Sequence, residues 1–448
     1  MPYNAGTRLP FETASKLGHL AVVRSPWVQA LVADFDDATP PVEDASKTVW
    51  QTIDNTGVLP LRVVWAVDGS FVPVSTERKP PKEVAFVKTA LLFVDRTRLD
   101  LIDKDNPHPL LLQDVMRESA TYHSTVFPLK NVRTALGSNY EAVRHIVRDS
   151  FKVDDFGAAH ETLKWLAYKK WTSTPSSSVG FQCPHCNCLI DQGLPFDADE
   201  GACPGCSQVV FLSDMLGFHL DMDEDSAPDS VASSYMLVME HLMLFTAIRL
   251  AWTHTDKSLV SESLFIKDGP LALRSQYSKL VPNIREFLEF AKAEGRPLHI
   301  IGQEKSGAFT DHLAAIAQFA PPHEREEPGS FAVLDHRYVR REVYRSPDLA
   351  NPYGKRTNWG EKVFVKLDPG TCMVLNVPTG QYLDAEDRPV ETDLIGWRRT
   401  LATLPSLISH KFEGALFPIE LANGVASMSS YPSASVLRKF LESQTPLP

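Results

Sequence analysis

Leu59-Pro-Leu-Arg-Val-Val-Trp-Ala-Val-Asp-Gly-Ser70 is the stretch on which the fold turns. Leu59–Val67 is rich in β-branched and aliphatic side chains, which suit a pleated, buried strand. Asp68-Gly69-Ser70 closes the run with turn chemistry. Val84–Val94 and Arg98–Ile102 repeat the pattern, which predicts a meander whose first strand carries Asp68 near its end. Farther on, Ser263–Lys267 reads as a short strand ending in Asp268-Gly269-Pro270-Leu271, and Leu298–Gly302 as a buried strand ending in Lys305-Ser306. Gly329–Leu334 and Lys362–Leu367 add two more. Helical patterns lie between and after these runs: Tyr235–Trp252, the most apolar in the chain, Ile284–Ala293, and a last helix near 419–429 ahead of a frayed tail. Strands alternating with helices predict an α/β architecture with one mixed sheet. There is no internal repeat.

Residues 1–45 read as a helical lead-in, because Ala14, Leu17, Leu20, Ala21, Val28, Leu31 and Val32 recur at helical spacing until Pro40-Pro41 breaks it. Residues 110–170 also read as helical. Trp171–Gly180 is a linker by composition, and residues 221–234 (DMDEDSAPDSVASS) form an acidic, polar one. Between these linkers Cys183-Pro-His-Cys186 is followed after sixteen residues by Cys203-Pro-Gly-Cys206. Two CxxC turns at this spacing place four thiolates around one Zn²⁺, as in a zinc ribbon, with rubredoxin-like iron as the alternative metal. A closed four-Cys shell leaves no open position, so the chemistry must lie elsewhere. The ribbon reads as an insertion between two flexible hinges. Cys188 lies close enough to compete as a ligand, and Cys372 reads as a small apolar packing residue.

The chain has 448 residues, 43% of them hydrophobic, enough for a large core plus insertions. It has no run of eighteen apolar residues and no basic-flanked apolar N-terminus, so neither a membrane span nor a secretory signal is expected. Six cysteines, four of them in the ribbon, fit a reducing, cytoplasmic setting. A net charge of −11 argues against a polycation that coats nucleic acid. It leaves room for a nucleic-acid enzyme with a local basic groove, since metal-holding carboxylates add to the negative count.

Three acids stand out by position. Asp68 and Asp268 each end an apolar strand, and Glu240 is the only acid in Tyr235–Trp252. Carboxylates at neighbouring strand ends, joined by one from a packed helix, suit Mg²⁺ or Mn²⁺, which take oxygen ligands. The plainer reading makes both aspartates turn residues and pairs Glu240 with His241, Arg249 or solvent. Lys305 follows a strand and suits a phosphate contact or plain solvation. Arg337–Arg345 (RYVRREVYR) interleaves Arg337, Arg340 and Arg341 with tyrosines, which suits nucleic-acid binding or a charged edge strand. There is no phosphate-binding Gly-rich loop, GxSxG or HExxH.

Taken in order, these landmarks resemble the NurA nuclease family. They are Val67-Asp68-Gly69-Ser70, a helix carrying Glu240, Lys267-Asp268-Gly269-Pro270-Leu271, and Ile301-Gly302-Gln303-Glu304-Lys305-Ser306. Ala14–His19 and the late strands around Lys362–Leu367 and Met373–Val377 add to the likeness, which covers about 1–105 and 230–435. The resemblance implies an RNase H-like core that cuts DNA as a homodimer. Asp68, Glu240 and Asp268 would hold Mn²⁺ or Mg²⁺, Lys305 would contact the phosphate, and the partner would be a HerA-type hexameric ATPase in DNA end processing or anti-phage defence. A helical insertion (106–180) and the zinc ribbon (181–212) would interrupt the core. Glu118 and Glu161 are alternatives to Glu240, which is favoured because its helix directly precedes the Asp268 strand. Family members often carry Tyr-Pro with a histidine eight residues after the tyrosine; here Phe417-Pro418 leads to Val425, or to Asn423 on a shifted alignment. The competing expectation is a non-catalytic adaptor that binds nucleic acid or protein through its ribbon.

Overall fold

The structure, a computed structural model, describes residues 22–35, 50–100, 102–103, 108, 110, 120–153, 158–222, 230–317, 329–346, 352–368, 370–383, 389–412, 414–428 and 432–444. Glu118, the Ala14–His19 motif, Pro40-Pro41 and acidic residues 223–229 lie outside the described residues. The chain divides into two units at residues 45 and 46. In the first, residues 22–24 are helical and, after Ser25, α1 (Pro26–Ala33) follows, with proline at its start and the Ser25 hydroxyl accepting from the Val28 N–H.

In the second unit β1 (Trp50–Thr52), β2 (Val63–Ser75), β3 (Glu83–Asp95) and β4 (Ala120–Lys130) precede the ribbon. The ribbon hairpins are β5 (Phe181–Gln182) with β6 (Leu189–Ile190), and β7 (Glu200–Ala202) with β8 (Val209–Phe211). After it come β9 (Ser263–Asp268), β10 (His299–Glu304), β11 (Ser330–Val333), β12 (Glu361–Asp368) and β13 (Thr371–Val377). Nine strands form one mixed sheet in the order β1-β11-β12-β13-β10-β9-β2-β3-β4. β2 pairs parallel with β9, and β9 with β10; every other pair is antiparallel. The expected α/β class with a mixed sheet flanked by helices is therefore present.

The flanking helices are α2 (Asn139–Ser150), α3 (Ala158–Ala167), α4 (Ser230–Thr253), α5 (Val281–Ala293), α6 (Ala308–Ile316), α7 (Trp397–Thr403), α8 (Phe417–Ala426) and α9 (Ser433–Ser443). Strand alternation splits the core in two. Val67 and Phe265 face the cluster that contains α4, α3 and α5. Val64, Ala66, Leu264 and Ile266 face the cluster that contains α7 and α8. α4 is long and apolar enough by composition to cross a membrane, but 78% of its most apolar window is buried inside the protein, against β2, β3, β9 and α3. A helix covered along most of its length has little need of a polar stripe.

Several expectations are corrected. Asp68 sits in the middle of β2, because the strand continues to Ser75 against β3 after its pairing with β9 has stopped at Val67. Arg98–Ile102 is no strand: the Asp95 carboxylate accepts from the Thr97 N–H and hydroxyl and starts a short helix, Arg96–Asp100. Within the segment read as helical, Ala120–Lys130 is β4, the third strand of the meander; its Thr, Tyr, Val and Phe content suits a half-buried strand. The tail carries a helix, α9.

The Trp171–Gly180 linker is no open hinge either. Trp171 packs against Trp165 and Phe287, and the Ser178 hydroxyl accepts from the Leu194 N–H. The ribbon is docked: Phe181, Ile190, Leu194 and Val210 share the core of α3, α4 and α5. The Tyr140 hydroxyl of α2 donates to Pro184 O at 2.6 Å.

Candidate functional site

Register builds the site. Val67 lies beside Lys267, and Lys267 beside Gly302, on the three parallel strands β2, β9 and β10. Asp68, Asp268 and Gln303 therefore occupy the next row, and alternation turns both aspartates toward the α8 side. Gln303 is buried there and ties down the approach to α8, its amide donating to Gly414 O and accepting from the Leu416 N–H. On the opposite, α4 side lie Gly69, Lys267 and Glu240. Gly69 has no side chain to spare: a Cβ on it would meet Met236 Cγ at 2.6 Å and Glu240 Oε1 at 2.7 Å. That bare spot lets the Glu240 carboxylate reach the strand.

Asp68, Glu240, Asp268, Lys267, Glu304 and Lys305 line one cavity of about 450 Å³. Lys305 also borders a neighbouring cavity of about 460 Å³ with Lys411, Glu420 and Asn423. Lys305 Nζ lies 3.1 Å from both oxygens of Asp268. Lys267 Nζ lies 2.6 Å from Glu240 Oε2 and donates to the Asp268 carbonyl at 2.5 Å. Glu304 is held by Lys362 and by the Asn376 amide. Asp68 Oδ1 accepts from the Gly69 N–H, whereas Asp68 Oδ2 is buried with no partner. Burial pushes the Asp68 carboxyl up to about 7, and the charges of Asp268 and Glu240 add to it. A hydrogen bond from Asn423 and the Lys305 ammonium act in the other direction. Burial also raises Glu240, against the Lys267 ammonium.

A buried, unpartnered carboxylate oxygen among mutually repelling acids fits a hard cation. The fit is open rather than closed: among the described residues, the only set of three or more such ligand atoms lying within 4.8 Å of one another is the cysteine quartet. Of the expected residues, Asp68, Glu240, Asp268 and Lys305 do meet in one cavity. Glu161 is exposed on α3 and does not line it.

Lys267 and Glu304 line the carboxylate cavity and Asn423 its neighbour, and none of the three is among the expected site residues. The period-two alternation of β9 was a signal that could have placed Lys267 on the face of Glu240.

Cys183, Cys186, Cys203 and Cys206 could hold zinc. Cys183 and Cys206 sulfurs are 3.8 Å apart, those of Cys186 and Cys203 3.7 Å. Each knuckle aims a backbone N–H at its first sulfur, His185 at Cys183 and Gly205 at Cys203. Cys188 Sγ lies 3.2 Å from Cys203 Sγ, so a fifth sulfur does crowd the shell.

Arg337–Arg345 is no edge strand but a helical turn running into a wide π turn, capped by the Asp335 carboxylate. This parts the three expected arginines. Arg340 lines an open cleft of about 620 Å³ with Tyr344, Arg345, Tyr353 and Asn358, and its Nε is buried without a partner. Arg337 is exposed outside that cleft, and Arg341 pairs with Glu342. Leu273, on the loop that leaves Asp268, donates to Thr357 O, which links the cleft to the carboxylate cavity.

No protein-family model matches the chain, and no curated protein matches it.

Proposed function

We propose that this chain is a metal-dependent DNA nuclease of the NurA type. The observation that carries the proposal is the placement of Asp68 and Asp268 in one cavity, each one residue beyond the last β2–β9 pair, Val67 with Lys267, with an unpartnered Asp68 oxygen and Glu240 beside them. An antiparallel β4-β3-β2 meander continued by parallel β9 and β10, with α4 on one face and α8 on the other, supports an RNase H-like core. Asp68 and Asp268 would hold Mn²⁺ or Mg²⁺, with Glu240 next to them. Such an ion, when bound, supplies a Lewis acid and an acidified water for hydrolysis of a phosphodiester.

The chain's own groups do the rest. Lys305 pairs with Asp268 where two cavities adjoin, and its ammonium would contact a scissile phosphate bound there. Arg340 and Arg345 offer phosphate contacts and Tyr344 a stacking face for the flanking strand. The four-Cys ribbon would carry a structural Zn²⁺. Working as a homodimer in the cytoplasm beside a HerA-type ATPase is part of the same reading, with end processing or anti-phage defence as its setting.

One observation favours a second reading, a non-catalytic adaptor that binds through its ribbon: the three carboxylates do not close to within 4.8 Å of one another. Digestion of linear DNA with Mn²⁺, with and without the ATPase, separates the two. Cutting by the wild type that Asp68→Ala and Asp268→Ala both abolish is the nuclease result. Silence of the wild type under every condition is the adaptor result.

A further inference from the structure

Lys267 is 1% exposed, yet it ends in a charged group inside the carboxylate cavity. Its Nζ touches two oxygens of different origin, Glu240 Oε2 from the α4 face and the backbone carbonyl of Asp268 from the end of β9. Oxygens of this kind, a helix carboxylate and a strand-end carbonyl, are also what a hard metal ion would take. A divalent ion bound to Glu240 Oε2 would sit about 2.1 Å from it. It would then lie against an ammonium that is itself 2.6 Å from the same atom, in a site with little water to screen the repulsion.

We propose that the Lys267 ammonium permanently fills the second cation position of this cluster, so that each chain binds one divalent cation, on Asp68 and Asp268. The proposal rests on the nuclease reading above and specifies how that site is charged. Lys267 is a positioning residue: it holds Glu240 and the Asp268 backbone, and touches no substrate.

Two further observations agree. The first is facial. Asp68 and Asp268 turn to the α8 side, where Asn423 bonds Asp68, whereas Lys267 and Glu240 meet on the α4 side, over the bare Gly69. The cluster is thus divided into a half filled by the buried Lys267 and a half in which Asp68 Oδ2 has no partner and Asp268 is met only by the partly exposed Lys305. The second is charge. Three carboxylates face two ammoniums, Lys267 and Lys305, while Glu304 is matched by Lys362. With all three carboxylates ionised, as metal binding requires of Asp68, one negative charge is left over. A single divalent ion turns the cavity singly positive, which matches one phosphodiester; two ions would leave it triply positive before any DNA arrived. A lysine in the second position also makes half of the site independent of free metal concentration.

The test counts ions on the full-length, zinc-loaded protein by Mn²⁺ electron paramagnetic resonance, alongside DNA digestion. The expected result is one Mn²⁺ per wild-type chain and none for Asp68→Ala or Asp268→Ala. Lys267→Ala, which empties the second position, should bind two, and Lys267→Arg one. Two ions on the wild type, or a folded Lys267→Ala chain that still binds one, would overturn the proposal. If Lys267→Ala does not fold, the wild-type and Lys267→Arg counts decide alone. Two ions with DNA cut sinks this inference and leaves the nuclease standing; no ion bound and no DNA cut sinks both.

Discussion

Arg144 on α2 grips Asp214 in the turn that follows β8 through two charge-assisted bonds, Nε to Oδ1 at 3.0 Å and Nη2 to Oδ2 at 2.8 Å, and both side chains are buried. Asp214 also accepts from the Phe211 N–H, so one carboxylate closes the ribbon's last hairpin and ties it to α2. Removing Asp214 would leave the buried Arg144 with only the partly exposed Glu141 as a charged partner. Asp214→Ala should cost about 3–5 kcal/mol. Asp214→Asn, which keeps one acceptor, should cost less. Urea unfolding followed by tryptophan fluorescence measures it, and a loss near zero would mean that the ribbon is not clamped.

Zinc content tests the quartet. One zinc per chain is expected, lost in Cys183→Ser, and chelation should lower the melting temperature, since a metal held by the four cysteines would couple its binding to folding. Cys188→Ser should keep its zinc. A loss there would show that Cys188, 3.2 Å from Cys203, is the true ligand.

Gly69→Ala probes the approach of Glu240. The added methyl would fall on Met236 and Glu240 Oε1, so Glu240 must retreat. Mn²⁺-dependent cutting should fall by roughly tenfold or more, as expected for displacement of a site group by about 1 Å. Circular dichroism should remain that of the wild type. Unchanged cutting would remove Glu240 from the site.

The raised Asp68 gives a signed pH dependence. Its carboxyl moves from the ordinary 3.8 up to about 7 in the metal-free fold. Between those values the folded state holds a proton that the unfolded chain has released. Asp68's contribution to stability is therefore complete below the unfolded value and is lost as pH rises through the folded one. A cation must displace that proton, so Mn²⁺ affinity should climb with pH and level off above about 7. Calorimetric titration across that range checks it. Asp68→Asn should bind weakly at every pH.

The arginine cleft makes the last prediction. Arg340→Ala should weaken single-stranded DNA binding by about 1–3 kcal/mol and reduce the salt slope by about 0.7. Arg337→Ala and Arg341→Ala, outside the cleft, should change little. Fluorescence anisotropy at two salt concentrations measures all three, and equal losses would return the function to the whole basic stretch.

Much of this was legible because its signals are local. β9 and β10 announce themselves as apolar runs closed by Asp-Gly or Lys-Ser, and α4 as an unbroken apolar helix. β4 was hidden because Ala120–Lys130 pairs with β3, whose last strand residue, Asp95, lies well upstream of Ala120, and no short window contains that ladder. Arg337–Arg345 alternates like an edge strand, but the Asp335 carboxylate bonds the Tyr338 N–H and turns it into a helix. Lys267 was passed over because a lysine beside an aspartate in sequence looks solvated; only burial on the α4 face makes it matter.

The sequence by itself determined the α/β alternation, the apolar strands that deliver Asp68 and Asp268, the packed helix that carries Glu240, and the two cysteine knuckles. Each of these is written within a few residues, in propensity, period or ligand spacing. Only the tertiary structure decided which residues meet. Parallel register set Asp68 beside Asp268, the missing side chain of Gly69 admitted Glu240, and Lys267 took that carboxylate for itself. These pairings join segments far apart in the chain. A shift of one residue in any of the three strands would turn its side chains to the opposite face.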